Sequence, residues 1–210
     1  VGDSAVISMS IDSMRTAMTK RGQLVPPFLE KRKKLIYEVV MVSIKSDSVI
    51  RKEREVQAQG QQTIDEQKLQ EYFTKNNLQP TRAASGLYYV MSAPGSGNTP
   101  KPGQAVTVNY TGKTIDGTTF DTNLDPQFGH AEPFTFVIGQ GQVIQGWDEG
   151  VAMMRKGGKA KLFVPSGLAY GPNSPAPTVP PNSILIFDVE VLKIEDAESP
   201  VAAPAAPAVQ

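Results

Sequence analysis

The sequence predicts an α+β chain in which strands separated by turns follow a longer helix. Three observations lead there. Apolar runs of strand length stand at LIYEVVMVSI (Leu35 to Ile44), at GLYYVM (from Gly86) and at ILIFDVEVLKI (Ile184 to Ile194). The segment 46–80 is rich in Gln, Glu and Lys and has a helical composition. Turn-forming stretches separate the later strands, among them APGSGNTPKPG and the glycine-containing hairpin IDGTTF.

In chain order, residues 1–45 come first and end in the strand-like run. Leu35, Tyr37, Val39 and Met41 alternate with Ile36, Glu38, Val40, Val42 and Ile44, so both faces are largely apolar and a central or doubly covered strand is expected. The helical segment 46–80 has only a thin set of apolar residues (Val49, Ile50, Val56, Ile64, Leu69, Tyr72, Phe73), with Gly60 as a weak point and Pro80 as the stop. Such a stripe argues against a strong coiled coil and for a plain spacer, and leaves the oligomeric state open. Residues 81–195 hold the turn-separated strands. Residues 196–210 are an Ala/Pro-rich tail, expected to be disordered because it has almost nothing to bury.

Composition narrows the chemistry. Lys+Arg equals Asp+Glu at 21 each in 210 residues, so charge gives no reason to expect nucleic acid or an acidic membrane as partner. With no cysteine, disulfides, thiolate nucleophiles and zinc–thiolate sites are excluded. The lone histidine, His130, makes a multi-histidine metal site or a Ser-His-Asp triad hard to build. No apolar run approaches the ~20 residues that span a bilayer. The chain begins at Val1 with no visible signal peptide, which reads as a mature or truncated product whose export signal would lie upstream.

Four motifs carry the functional reading: VNYTGKTIDGTTFD (Val108 to Asp121), QVIQGWDEG (Gln142 to Gly150), LAYG (Leu168 to Gly171) and ILIFDVEVLKI. In order, spacing and residue type they resemble the FKBP-type peptidyl-prolyl cis-trans isomerases, the macrolide-binding immunophilins. The likeness runs from roughly Gly86 to Glu195. It implies a twisted antiparallel sheet wrapped around a short helix near Gly146 to Met153, and catalysis of rotation about X-Pro bonds with no cofactor or metal. Carried over position by position, it makes Trp147 the floor on which a proline ring sits. Tyr110, Phe120, Phe134, Val143 and Phe187 become walls, and Val179 a flap residue of the substrate-binding set. The catalytic set it implies is Asp121, a buried acid near the twisting amide, Tyr170, whose hydroxyl meets a substrate carbonyl, and Ile144, whose backbone N–H does the same. Phe136 and Leu162 read as core. Taken singly each aromatic is more often core than site; the spacing of FD, VIQGW and AYG is what a single pocket requires.

This chain departs from the family pattern in three places. The arginine that often pairs with the acid falls on Pro126 or its neighbours, leaving Asp121 less firmly held, or held by Tyr110 alone. The segment DPQFGHAEP (Asp125 to Pro133) is longer than in minimal members, and His130 within it reads as a solvent-facing loop residue, since the reaction moves no proton. The flap GPNSPAPTVPPN puts Pro175 where many members have histidine, which stiffens the loop and bears on macrolide affinity.

A repeat is also legible. Val1–Met9 lies over Lys156–Val164, Pro26-Pro27 echoes Pro180-Pro181, and Leu35–Ile44 lies over Leu185–Ile194. Residues 1–45 then read as the C-terminal half of a degenerate FKBP-like unit, with Arg15 where the complete one has Tyr170 and so no second active pocket. The resulting expectation is an isomerase acting as a folding helper on proline-containing unfolded or nascent chains, with macrolides as candidate inhibitors and a periplasmic or cell-envelope setting favoured over the cytoplasm. The rival is a proline-binding chaperone or scaffold that uses the pocket without turnover.

Overall fold

The computed structural model describes residues 4–20, 34–40, 46–173 and 175–196. Expectations for Pro26-Pro27, for strand residues 41–44 and for the tail beyond 196 lie outside them. The chain forms two compact units, Val1–Arg54 and Glu55–Gln210.

In the first unit, β1 (Ser4–Ser10), α1 (Ile11–Lys20) and β2 (Lys34–Val40) follow one another, and β1 and β2 make a two-stranded antiparallel sheet. The expectation of a doubly covered strand is not met. Among the described residues the only strand paired with β2 is β1, and Ile36, Tyr37 and Val39 are exposed.

The second unit is built on β5 (Gln104–Thr114) and β9 (Leu185–Asp196), paired antiparallel from Gln104↔Asp196 to Thr114↔Leu185. Around them stand β3 (Thr81–Arg82), β4 (Tyr88–Ala93) and β8 (Lys159–Val164) on one side and β6 (Thr119–Thr122) on the other, in the order β3-β4-β8-β9-β5-β6. The last strand, β7 (Phe134–Val137), also pairs with β5. Every pairing is antiparallel. The α+β class and the sheet wrapped on a short helix are as expected.

Because strand side chains alternate between faces, the sheet has two cores. On one face Val106, Val108 and Tyr110 of β5, Leu162 and Val164 of β8, and Leu185, Phe187, Val189 and Val191 of β9 close on α3 (Gln145–Ala152) through Trp147 and Val151. The helix lies unusually near β8. A Cβ on Gly150 would stand 2.6 Å from Leu162 Cδ1, and one on Gly146 would run into Val164.

The other face is covered by α2 (Asp47–Lys75), which runs unbroken through Gly60. Asp65, Leu69 and Phe73, spaced one turn apart, form its buried stripe, and Leu69 and Phe73 pack with Tyr88, Phe163, Ile184 and Ile186. Phe73 meets Phe163 edge-on at 4.9 Å between centroids and Tyr88 at 5.1 Å. Tyr88 also donates its hydroxyl hydrogen to Glu66, and Gln70 Nε2 donates to Tyr88 at 3.0 Å. The end of α2 is therefore docked, where a plain spacer was expected. Nor does Pro80 stop it. Asn77 takes a left-handed conformation (φ 52°), Leu78 N–H bonds Phe73 C=O at 2.9 Å, and the last carbonyls are satisfied before the proline is reached.

Docking through so few side chains predicts that Phe73→Ala costs about 3–5 kcal/mol of unfolding free energy, the usual range for a buried phenylalanine. Denaturant unfolding measures it, and a cost below about 1 kcal/mol would mean the helix end is not packed as described.

Candidate active site

Every chemical feature of the α3 face gathers around Trp147, which the first turn of α3 buries beneath the sheet. The ring of Tyr110 stands edge-on to it at 5.0 Å and that of Phe187 at 5.2 Å, with Phe134 at 6.3 Å. Phe136 fills the gap behind at 5.8 Å, and Phe120 extends the wall by an edge contact of 5.7 Å with Phe187. Offset and edge-to-face contacts of this kind suit the ring quadrupoles and fix each ring's angle. The wall depends on Gly112, where a Cβ would come within 2.8 Å of both Phe120 and Phe187. Val179 is buried against the same cluster, and Val143 and Ile144 are half-buried beside it.

Two loops set the approach. Gln142 Oε1 accepts Val137 N–H at 2.9 Å and Asp148 Oδ1 accepts Gly139 N–H at 3.0 Å, so residues 139–144 are tied at both ends. Ile144 then enters α3 in an extended conformation (ψ 149°) with its C=O taken by Trp147 and Asp148. Its own N–H has no acceptor among the described residues. Trp147 Nε1 is the buried side-chain polar atom without a partner among them, a donor at the floor of the cup.

The polar rim is Asp121, Tyr110, Tyr170 and His130. Tyr110 donates its hydroxyl hydrogen to Asp121 Oδ2 at 2.7 Å, and His130 Nε2 lies 3.0 Å from Oδ1. His130 is the exposed loop residue expected, but its ring also has partners in the site. Although exposed, it reaches back from the long 125–133 loop to the acid and sits 3.3 Å from the Tyr110 hydroxyl. Asp121 is therefore met on both oxygens, by Tyr110 on Oδ2 and by His130 on Oδ1. Asn123, which no motif flagged, makes this possible. It is buried, accepts Tyr110 N–H at 2.7 Å, and donates to Val108 C=O and Glu132 C=O, both at 3.0 Å, sewing the histidine loop onto β5. Nothing in the sequence marks this asparagine except its position after the FD pair.

Burial pushes the Tyr110 phenol far up, and its bond to Asp121 and that group's charge add to the effect. Tyr170 is raised by burial first and then by the Asp121 charge. Both hydroxyls therefore stay protonated donors at neutral pH. Elsewhere, a cavity of about 310 Å³ between Lys68, Asp116 and Pro181 contains none of these aromatic residues. No group of three or more His, Cys, Asp or Glu side chains that could hold a metal occurs among the described residues.

An apolar aromatic cup with hydrogen-bond donors at its rim has the shape and chemistry to receive a small ring. The family model for FKBP-type peptidyl-prolyl cis-trans isomerases matches residues 96–192. The peptidyl-prolyl cis-trans isomerase Fkbp12 of Drosophila melanogaster is 51% identical over 111 residues, covering 52% of this chain and 99% of that protein. The FKBP-type peptidyl-prolyl cis-trans isomerase FkpA of Aeromonas hydrophila is 48% identical over 111 residues, 53% of this chain and 39% of that one. The crystal structure of FkpA from Escherichia coli has a TM-score of 0.55 and 30% identity, covering 90% of this chain and 84% of that one. The chain belongs to the FKBP-type peptidyl-prolyl cis-trans isomerase family, and isomerisation of X-Pro bonds is its activity.

The raised tyrosines predict an alkaline signature. Below the unfolded value near 10 their contribution to stability is fully present. As pH rises past it, the unfolded chain loses its phenolic protons first, and the contribution falls away toward the higher folded values. Denaturant unfolding between about pH 9 and 11 should show a declining stability in the parent and a shallower decline in Tyr110→Phe. Equal slopes would mean that Tyr110 is not held as the geometry shows.

Proposed function

We propose that residues 81–195 form the isomerase domain and that the aromatic cup binds the substrate proline. An X-Pro amide rotates slowly because resonance sets a barrier of ~18–20 kcal/mol, while cis and trans differ by only ~0.5–1 kcal/mol. The enzyme therefore has to bind the twisted amide better than either planar form. In this reading the proline ring rests on Trp147 between Tyr110, Phe120, Phe134, Val143, Val179 and Phe187. Excluding water from the amide disfavours its charge-separated planar form. Ile144 N–H and the Tyr170 hydroxyl receive substrate carbonyls, and Asp121, steadied by Tyr110 and His130, faces the rotating group. The observation that carries this is the packing of Tyr110, Phe134 and Phe187 rings edge-on about one indole, 5.0–6.3 Å away, beside an acid bonded at 2.7 Å.

Clients on this reading are proline-containing unfolded or nascent chains. Macrolides are a candidate ligand class, since relatives in Neisseria meningitidis are named FK506-binding proteins. The stiff flap with Pro175, Thr178 and Val179 would tune their affinity. A periplasmic or cell-envelope setting rests on the likeness to bacterial FkpA proteins. None of the described helices is long and apolar enough to cross a membrane.

Residues 1–45 are proposed as the C-terminal half of a degenerate second unit, joined by a helical linker at 46–80. Strand register supports the repeat. Val6↔Glu38, Ile7↔Tyr37 and Met9↔Leu35 correspond, rung for rung under the sequence match, to Lys161↔Asp188, Leu162↔Phe187 and Val164↔Leu185.

The test is the cis-to-trans rate of a short X-Pro peptide. Asp121→Val and Tyr170→Phe should each lower kcat/KM roughly tenfold to a hundredfold, about 1.4–3 kcal/mol of transition-state stabilisation. Full rates in both variants would remove these residues from the mechanism.

A further inference from the structure

We infer that Asp65, on α2, is a positioning residue for the isomerase pocket and acts by holding the turn that carries Tyr170. The inference rests on the role proposed above for the Tyr170 hydroxyl.

Asp65 is only 1% exposed, on a helix otherwise rich in solvated polar side chains. A buried carboxylate is costly unless its oxygens are satisfied. Here three donors reach it. Gln61 Nε2 donates to Oδ1 at 2.8 Å, while Ser166 N–H and Ser166 Oγ–H donate to Oδ2 at 2.8 and 2.6 Å. Ser166, itself 1% exposed, opens a single 3-10 turn, Ser166–Leu168, whose preceding residue is Pro165. A proline has no side-chain oxygen with which to cap the turn's first N–H, and no side-chain cap is present there. The capping oxygen comes instead from a residue 101 positions earlier in the chain.

The other side of the Ser166 peptide leads to Tyr170. Ser166 C=O accepts Ala169 N–H at 3.0 Å and Gly171 N–H at 2.9 Å, the amides on either side of Tyr170. Gly171, in a left-handed conformation (φ 58°), accepts Asn182 N–H at 2.7 Å and so ties the base of the flap to the same turn. The neighbours of Asp65 on its helix face, Leu69 and Phe73, pack on Phe163 of β8, the strand that runs into Pro165. The helix thus grips the strand with its apolar residues and the following turn with its acid. Tyr170 is 37% exposed and its hydroxyl has no hydrogen bond among the described residues, while its C=O accepts Asn173 N–H at 3.2 Å, so the side chain's placement depends on the backbone of this turn.

The experiment is a double-variant cycle in the full chain, reading kcat/KM for a short X-Pro peptide together with unfolding free energy. Asp65→Ala should lower kcat/KM roughly tenfold, within the range that slight misplacement of a reacting-site group produces. In a Tyr170→Phe background the same change should cost less than about twofold, because the hydroxyl it positions is gone. Ser166→Ala, which removes one donor to the acid, should show a smaller loss with the same dependence on Tyr170. Asp65→Asn and Ser166→Ala carry the cycle if Asp65→Ala does not fold. An equal loss in both backgrounds would overturn the inference and leave Asp65 as support for the fold. An unaltered Asp65→Ala beside an impaired Tyr170→Phe would overturn it alone. A fully active Tyr170→Phe would remove the role of the hydroxyl and this inference with it.

Discussion

The seating of α3 on β8 is the contact on which the site depends. Gly146 and Gly150, one helical turn apart, present no side chain to Val164 and Leu162, so the helix approaches the sheet more closely than any larger residue permits. Trp147 follows the first of these glycines and is therefore carried into the concave face of the sheet. There Tyr110 and Phe187 meet it from β5 and β9, the longest strand pair in the fold. If the helix stood farther away, the indole would no longer close the bottom of the cup. Gly112 serves the same end from the sheet side, where its missing Cβ admits the rings of Phe120 and Phe187.

On this apolar base a small polar apparatus is held by neighbours in space. Asp121 is clasped on its two oxygens by Tyr110 and His130, and the loop that brings the histidine is sewn down by Asn123. The clasp keeps a carboxylate at the edge of an aromatic cup, where it would otherwise favour water. On the opposite face of the sheet, α2 binds through Leu69 and Phe73, and through Asp65 it meets the turn before Tyr170. The two faces are joined at β8, whose alternating residues serve α3 and α2 in turn.

How much of this could be read in advance follows from what each residue needs. The aromatic rings were legible because FD and VIQGW are short motifs with the spacing of one pocket, and Phe120, Tyr110, Phe187 and Trp147 form one chain of edge contacts. The strands were legible from alternation. His130 was not, because a loop side chain's direction is decided by tertiary bonds such as those of Asn123, which leave no local pattern. The docked end of α2 was obscured by its acid. A stripe at 65, 69 and 73 with an aspartate in it does not register as apolar, yet that aspartate is buried because Ser166 answers it. Likewise Pro80 looked like the helix stop, whereas Asn77 had already closed it with a left-handed turn. The exposed β2 failed the reading for another reason. Apolarity on both faces says that a strand can be covered, and cannot say by what.

Trp147 is the sole tryptophan of the chain, and its indole N–H is buried without an acceptor among the described residues, so it reports directly on the floor of the cup. The decisive measurement is nuclear magnetic resonance of an equilibrium mixture of cis and trans X-Pro peptide with substoichiometric protein, observing both the peptide's proline signals and that single indole N–H. Turnover on Trp147 should give exchange between the cis and trans peptide signals together with a saturable shift of the indole resonance. A shift without exchange would contradict turnover, and exchange that leaves the indole unmoved would place the chemistry somewhere other than on Trp147.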